Sequence, residues 1–197
     1  MVETIETKDI KAAQSHFNVA QFITARFSPR AFAETNISDD TMNTLFEAAS
    51  WAASANNEQP WLYYYALKGT EGFDKLAALL MPANHIWAKN AAVLVVSAIR
   101  KTFAANGNNN GSAEHDLGMA NANLLLQAAE LDIFGHPMGG FYRDKAIEAL
   151  GLDENQKPMC MFALGYLGDV EQLEEPYKAR ELMKRSRKPL ETFVTQF

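Results

Sequence analysis

The stretch Ala92-Val93-Leu94-Val95-Val96-Ser97-Ala98-Ile99 decides the fold class. It is a continuous apolar run rich in β-branched residues, and in a strand successive side chains point to opposite faces. Both faces are therefore apolar, which predicts a strand buried on both sides. The run is far too short to span a bilayer.

Working backward along the chain, residues 71–80 predict a short helix closed by Pro82. Residues 61–67 are rich in aromatics and predict a strand. Ahead of them, Ser38 is a good N-cap, and Asp39 and Asp40 suit the positive end of a helix dipole. Met42, Leu45, Phe46, Ala49 and Ala52 then recur on one helical face. Residues 9–25 place Ile10, Ala13, Phe17, Phe22 and Ile23 near helical spacing and predict a helix that ends before Pro29. Working forward, residues 106–112 are Asn- and Gly-rich and predict a loop. Residues 113–131 carry Leu117, Ala120, Leu124, Ala128 and Leu131 on one stripe and predict a long helix. A helix over 144–150 stops at Gly151. A strand over 159–167, a helix over 176–184 and a terminal strand over 190–194 complete the order α, α, β, α, β, α, α, β, α, β. There is no internal repeat and no linker, so residues 1–197 form one domain with a layered α/β or α+β architecture. The terminal arms look too extended for one compact body and are expected to wrap a partner subunit.

The chain has 197 residues, 48% hydrophobic and 21% charged, enough for a sizeable core without disulfides or metal. Its net charge of −6 disfavours nucleic acid, so any anion it binds must meet locally placed cations. One cysteine, Cys160, gives neither an intramolecular disulfide nor a zinc set, and in an apolar strand it reads as a buried inert thiol. The first residues carry Glu3, Glu6 and Asp9 and no apolar run, so no signal peptide is expected. The expected location is cytoplasmic, with no membrane contact. Neither G-x-G-x-x-G nor a phosphate loop nor G-x-S-x-G occurs. His16, His85, His115 and His136 show no metal spacing, and no metal is expected.

Four local clusters remain. In Arg26-Phe27-Ser28-Pro29-Arg30, extended backbone would put two cations and a hydroxyl on one side, suited to a phosphate; taken alone, the same residues read more readily as a solvated basic turn after a helix. In Ser54-Ala55-Asn56-Asn57-Glu58-Gln59-Pro60-Trp61, side-chain amides could bond a heterocycle, or the segment is a polar helix-to-strand turn. In Pro137-Met138-Gly139-Gly140-Phe141, glycines would let backbone N–H groups approach a ligand, or simply form a turn. Lys184-Arg185-Ser186-Arg187-Lys188 reads as a phosphate clamp or as a surface charge run.

Taken in order, the four clusters resemble the FMN-dependent nitroreductase superfamily, from about Arg26 to Phe193. R-x-S-x-R/K corresponds to Arg26, Ser28 and Arg30. The P-S-x-x-N-x-Q-P-W segment corresponds to Ser54, Asn57, Gln59, Pro60 and Trp61. The P-x-x-G-F turn corresponds to Pro137, Gly140 and Phe141, and K/R-S-R-x-P-L to Arg185, Ser186, Arg187, Pro189 and Leu190. The resemblance implies an α+β fold, with a central, mostly antiparallel sheet flanked by helices, and a homodimer holding FMN between its subunits. It implies that Arg26, Arg30, Arg185 and Arg187 clamp the phosphate and ribityl chain, that Ser28 meets the pyrimidine side of the ring with Phe27 also at the cofactor, and that Ser54, Ala55 and Asn57 reach the flavin of the other subunit. Asn84 is expected near the pyrimidine edge. Pro137, Met138, Gly139 and Gly140 are expected beside N5, the atom that carries hydride, so no side chain is named as catalytic.

Three positions depart from the family pattern. Ala53 stands where many members have Pro, Trp87 where some place a flavin-touching Lys, and Gly139 where some have an acidic residue. The span 101–112 is short, which predicts an open pocket. The activity implied is ping-pong transfer from NADH or NADPH through FMN to a nitroaromatic, quinone or similar electron-poor small molecule. Relatives that dehalogenate aromatics or reduce flavin provide an alternative, as does a non-catalytic FMN store or sensor.

Overall fold

A computed structural model describes residues 7–197. Four strands, β1 (Trp61–Leu67), β2 (Val93–Arg100), β3 (Phe134–Met138) and β4 (Gln156–Gly165), form one sheet in the order β1-β2-β4-β3. Every strand pair is antiparallel. β2 lies inside the sheet, and all of it except Arg100 is buried.

The alternation of β2 divides the core in two. Val93 and Val95 face one apolar cluster, built with Met42, Leu45 and Ala49 of α3 (Asp39–Ser50) and Ala120, Leu124 and Ala128 of α6 (Ala113–Glu130). Leu94 and Val96 face the other, built with Phe73 and Leu76 of α4 (Glu71–Ala77), Trp87 of α5 (Pro82–Ala88), Ala146 of α7 (Arg143–Leu150) and the loop residues Phe32 and Phe141. Each fully buried Leu or Phe in these layers contributes about 1.5–3 kcal/mol of hydrophobic stabilisation. The Ser38 hydroxyl caps α3 by accepting from Thr41 N at 3.2 Å, and Gly151 ends α7 at φ 62°.

Two prolines sit in strands without breaking them. Pro158 of β4 lies opposite Ala98, where the β2–β4 register shifts, and Pro137 lies in β3, an edge strand. A residue without an N–H is tolerated at such places.

Four expectations are corrected. Residues 9–25 are not one helix. They form α1 (Thr7–Ile10) and α2 (Gln21–Ala25), and Phe17, Phe22 and Ile23 are exposed. Their apolar spacing finds no core in this chain, and a short helix without a packed face is marginal. Pro82 opens α5 at its first turn rather than merely closing the preceding helix, which ends at Ala77. Residues 134–138 complete the sheet as β3, a strand missing from the predicted order. Residues 190–194 hold a 3₁₀ turn, Leu190–Thr192, and pair with no strand of the sheet. A last short helix, α8, spans Tyr177–Glu181. Among the described residues, no helix is long and apolar enough to cross a membrane, and no group of three His, Cys, Asp or Glu could hold a metal.

Candidate functional site

Phe27 fixes the first cluster. Its buried ring packs against Phe134 of β3 with centroids 4.7 Å apart, which holds residues 26–30 along the β3 edge. Arg26 and Ser28 then point to one side, as the extended reading requires. Arg26 Nη1 donates to Ser28 Oγ at 3.4 Å. Arg185 and Arg187 reach the same place from the far end of the chain. Lys11, Arg26, Phe27, Ser28, Arg185 and Arg187 line one cleft of about 210 Å³.

The electrostatics of this cleft are one-sided. It has four cationic side chains and no carboxylate among its lining residues. Burial, and next the facing Arg187, push Arg26 below the usual arginine range. Burial, then Arg187 and Arg26, do the same to Arg185. Cations that repel one another while partly desolvated are stabilised by an anion placed between them. A phosphomonoester fits this donor set: guanidinium forks, an ammonium and a hydroxyl.

Arg30 is not among the residues lining the cleft. Its backbone N–H donates to both carboxylate oxygens of buried Glu181, each at 3.1 Å, and its guanidinium lies 3.9 Å from one of them. The same guanidinium sits over the Trp87 ring at 5.8 Å. Trp87 in turn packs against His136 of β3, centroids 4.5 Å apart. His136 Nδ1 lies 2.8 Å from the Pro29 carbonyl oxygen. A carbonyl only accepts, so Nδ1 carries the proton. Burial first, and then nearby Arg30 and Arg26, bring this imidazole down to about 4, so it is neutral near pH 7 and acts as a brace for residues 28–30.

The chain of contacts continues to the third cluster. Asn84, one turn before Trp87 on α5, donates from Nδ2 to the Gly140 carbonyl at 3.0 Å. Met81 N donates to the same oxygen at 3.1 Å. A Cβ on Gly140 would lie 2.8 Å from Asn84 Nδ2, which accounts for the glycine there. Met138 is buried in β3, Pro137 and Gly139 are exposed, and Gly140 is half-buried. Clusters one, three and four, with Asn84, thus line a single edge of the sheet, along which β3 runs for roughly 13 Å at 3.3 Å per residue.

The second cluster does not join them within one chain. Residues 54–59 precede β1, the opposite edge of the sheet, three interstrand spacings or roughly 14 Å from β3. Their backbone is unusual. Asn56, Asn57 and Gln59 all have positive φ, 52°, 55° and 52°. Gln59 N donates to Ser54 Oγ at 3.0 Å within the segment, and Ala55 N donates to buried Asp116 of α6 at 2.9 Å, so the conformation is held both from inside and from α6. Left-handed non-glycine residues held this way cluster at functional sites.

Lys11 is the functional candidate that sequence reasoning missed. It belongs to no motif and lies fifteen residues before Arg26. Cys160, half-buried with its thiol pushed up to about 11 by burial, is unreactive at neutral pH.

Residues 23–86 and 80–166 match the model of the Nitroreductase family. The chain is 32% identical over 125 residues to an uncharacterized 15.4 kDa protein of Mycolicibacterium smegmatis, covering 61% of this chain and 80% of that one. It is 26% identical over 159 residues to an Archaeoglobus fulgidus protein provisionally named NADH dehydrogenase/NAD(P)H nitroreductase, covering 79% and 88%. A solved oxidoreductase containing FMN superposes with a TM-score of 0.88 at 31% identity, over 98% of this chain and 97% of that one.

Proposed function

Because the chain belongs to the nitroreductase family, we propose that it is an FMN-dependent oxidoreductase that takes reducing equivalents from NADH or NADPH and passes them to an electron-poor small molecule. The observation that carries this reading is the convergence of Arg26, Arg185, Arg187 and Ser28, distant in sequence, on one cleft without a carboxylate. In an acidic chain such a cleft is a built receptor for a dianionic tail, and the structurally similar oxidoreductase is one that contains FMN. When bound, FMN supplies hydride transfer at its N5.

The residues of this chain position that chemistry. Arg26, Arg185 and Arg187 bind the phosphate, and Ser28 adds a hydroxyl beside it. Phe27 and the Trp87–His136 pair set the segment from which these groups project. Arg30, held against Glu181 and the Trp87 ring outside the cleft, acts on the ribityl side rather than on the phosphate. Asn84 meets the polar edge of the ring. Pro137 and Met138 bring Gly139 and Gly140 to the redox-active edge, where a missing Cβ lets main-chain N–H groups approach.

Ser54, Ala55 and Asn57 lie across the sheet from these groups, so they complete the site only from a second copy of the chain. A homodimer also accounts for the exposed apolar surface. Phe22, Ala48, Trp51 and Leu126 line an open groove, and Phe193, Val194 and Phe197 are exposed on the C-terminal arm. An isologous pair buries both. Mixing the flavin-loaded protein with NADH, and separately with NADPH, in the absence of oxygen tests the reading. Bleaching by at least one nucleotide, reversed by adding a quinone or nitroaromatic, is the expected result. Colour that persists with both rejects it.

A further inference from the structure

Lys11 enters the same cleft from the N-terminal arm, and its surroundings fix it there. Its Nζ donates to the Met183 carbonyl at 2.7 Å and to the Arg180 carbonyl at 3.2 Å. An ammonium has three N–H donors, so one is left over among the described residues. Its main-chain oxygen accepts from Arg185 Nη1 at 2.9 Å, and that same Nη1 reaches the Thr24 carbonyl at 2.7 Å. Among the described residues, no carboxylate lies within ion-pair distance of Lys11. The neighbouring acid, Glu181, accepts from the Arg30 N–H with both oxygens and attracts the Lys11 ammonium only through space, without a direct contact.

We propose that Lys11 is a fourth cationic ligand of the cofactor's terminal phosphate, directing its remaining N–H into the cleft lined by Arg26, Ser28, Arg185 and Arg187. The proposal rests on the FMN reading above. The two carbonyl bonds hold the ammonium in place before the anion arrives, so little side-chain freedom is lost on binding. The cleft is then closed by both ends of the chain, and the N-terminal arm reads the phosphomonoester directly. A lysine that only staples the arms together has the same two carbonyl bonds but gives no preference for a phosphorylated flavin.

Fluorescence titrations of wild type, Lys11→Gln and Lys11→Arg with FMN and with riboflavin separate these roles. Loss of one charge-assisted contact weakens FMN by roughly ten- to a hundredfold in Lys11→Gln. Riboflavin binding changes by less than about threefold, and Lys11→Arg restores most of the FMN preference. Equal weakening of both flavins, or of neither, overturns the assignment. A wild type that does not prefer FMN to riboflavin sinks the FMN reading itself, and Lys11's role with it. If Lys11→Gln does not fold, acetylation footprinting of the wild type decides. Protection of Lys11 by FMN but not by riboflavin supports the assignment, and equal labelling with both overturns it.

Discussion

Lowering the pH from 7.5 to 5 tests the brace beneath the phosphate-binding segment. The His136 imidazole titrates near 4 in the folded protein, against 6.5 for a free one, chiefly because it is buried. Between those values the unfolded chain takes up a proton at this residue and the folded chain does not. Stability from this group is therefore complete above pH 6.5 and is lost as the pH falls toward 4. At about 1.4 kcal/mol per pH unit of separation, the loss between pH 7.5 and 5 is about 2 kcal/mol. For a domain of this size that lowers Tm by roughly 4–8 °C. The measurement is thermal or urea unfolding at both pH values, for wild type and for His136→Asn. The asparagine offers an amide N–H in place of Nδ1 toward the Pro29 carbonyl and does not titrate. It starts from a lower stability, but its pH-dependent loss should be smaller by about 2 kcal/mol, since every carboxylate is common to both proteins. Identical pH dependence in the two proteins would refute the assignment of His136 as a buried neutral brace.

Cys160, with its thiol near 11, should react with a disulfide reagent at pH 8 orders of magnitude more slowly in the folded protein than after unfolding; equal rates would contradict its burial. Gly168→Ala would place a methyl 2.5 Å from the Phe32 carbonyl oxygen and closer still to the carbonyl carbon, so it should lower stability by roughly 2–3 kcal/mol; an unchanged Tm would be inconsistent with that contact. Asp116→Ala leaves the Ala55 N–H without its acceptor and should cost about 1–3 kcal/mol, with Asp116→Asn milder; if residues 54–57 complete the site across a dimer, FMN affinity falls as well.

The central strand was legible because β2 is apolar on both faces and its alternation feeds two separate cores. The capping of α3 by Ser38 was equally local, and so was the stop of α7 at Gly151. The N-terminal arm is deceptive in sequence because Phe17, Phe22 and Ile23 carry a helical period yet are exposed in this chain. β3 is not legible as a strand because Gly135 and Pro137 suppress the strand signal, while an edge position tolerates the proline. At the site, Arg26, Ser28, Arg185 and Arg187 could be paired because each belongs to a motif. Lys11 could not, since its place is set by carbonyls of residues 180 and 183, a long-range contact with no local signature. Arg30 looked equivalent to Arg26 from its two-residue spacing. It is distinguished by buried Glu181 and by the Trp87 ring, both distant in sequence.

The most direct test is the visible absorption spectrum of the purified protein after incubation with FMN and removal of unbound flavin by gel filtration. A flavin band eluting with the protein at about one flavin per chain, and lost together in Arg26→Ala and Arg187→Ala, is the expected result. Colourless protein whose Tm is unmoved by FMN contradicts the account, because a ligand held by these arginines must stabilise the fold.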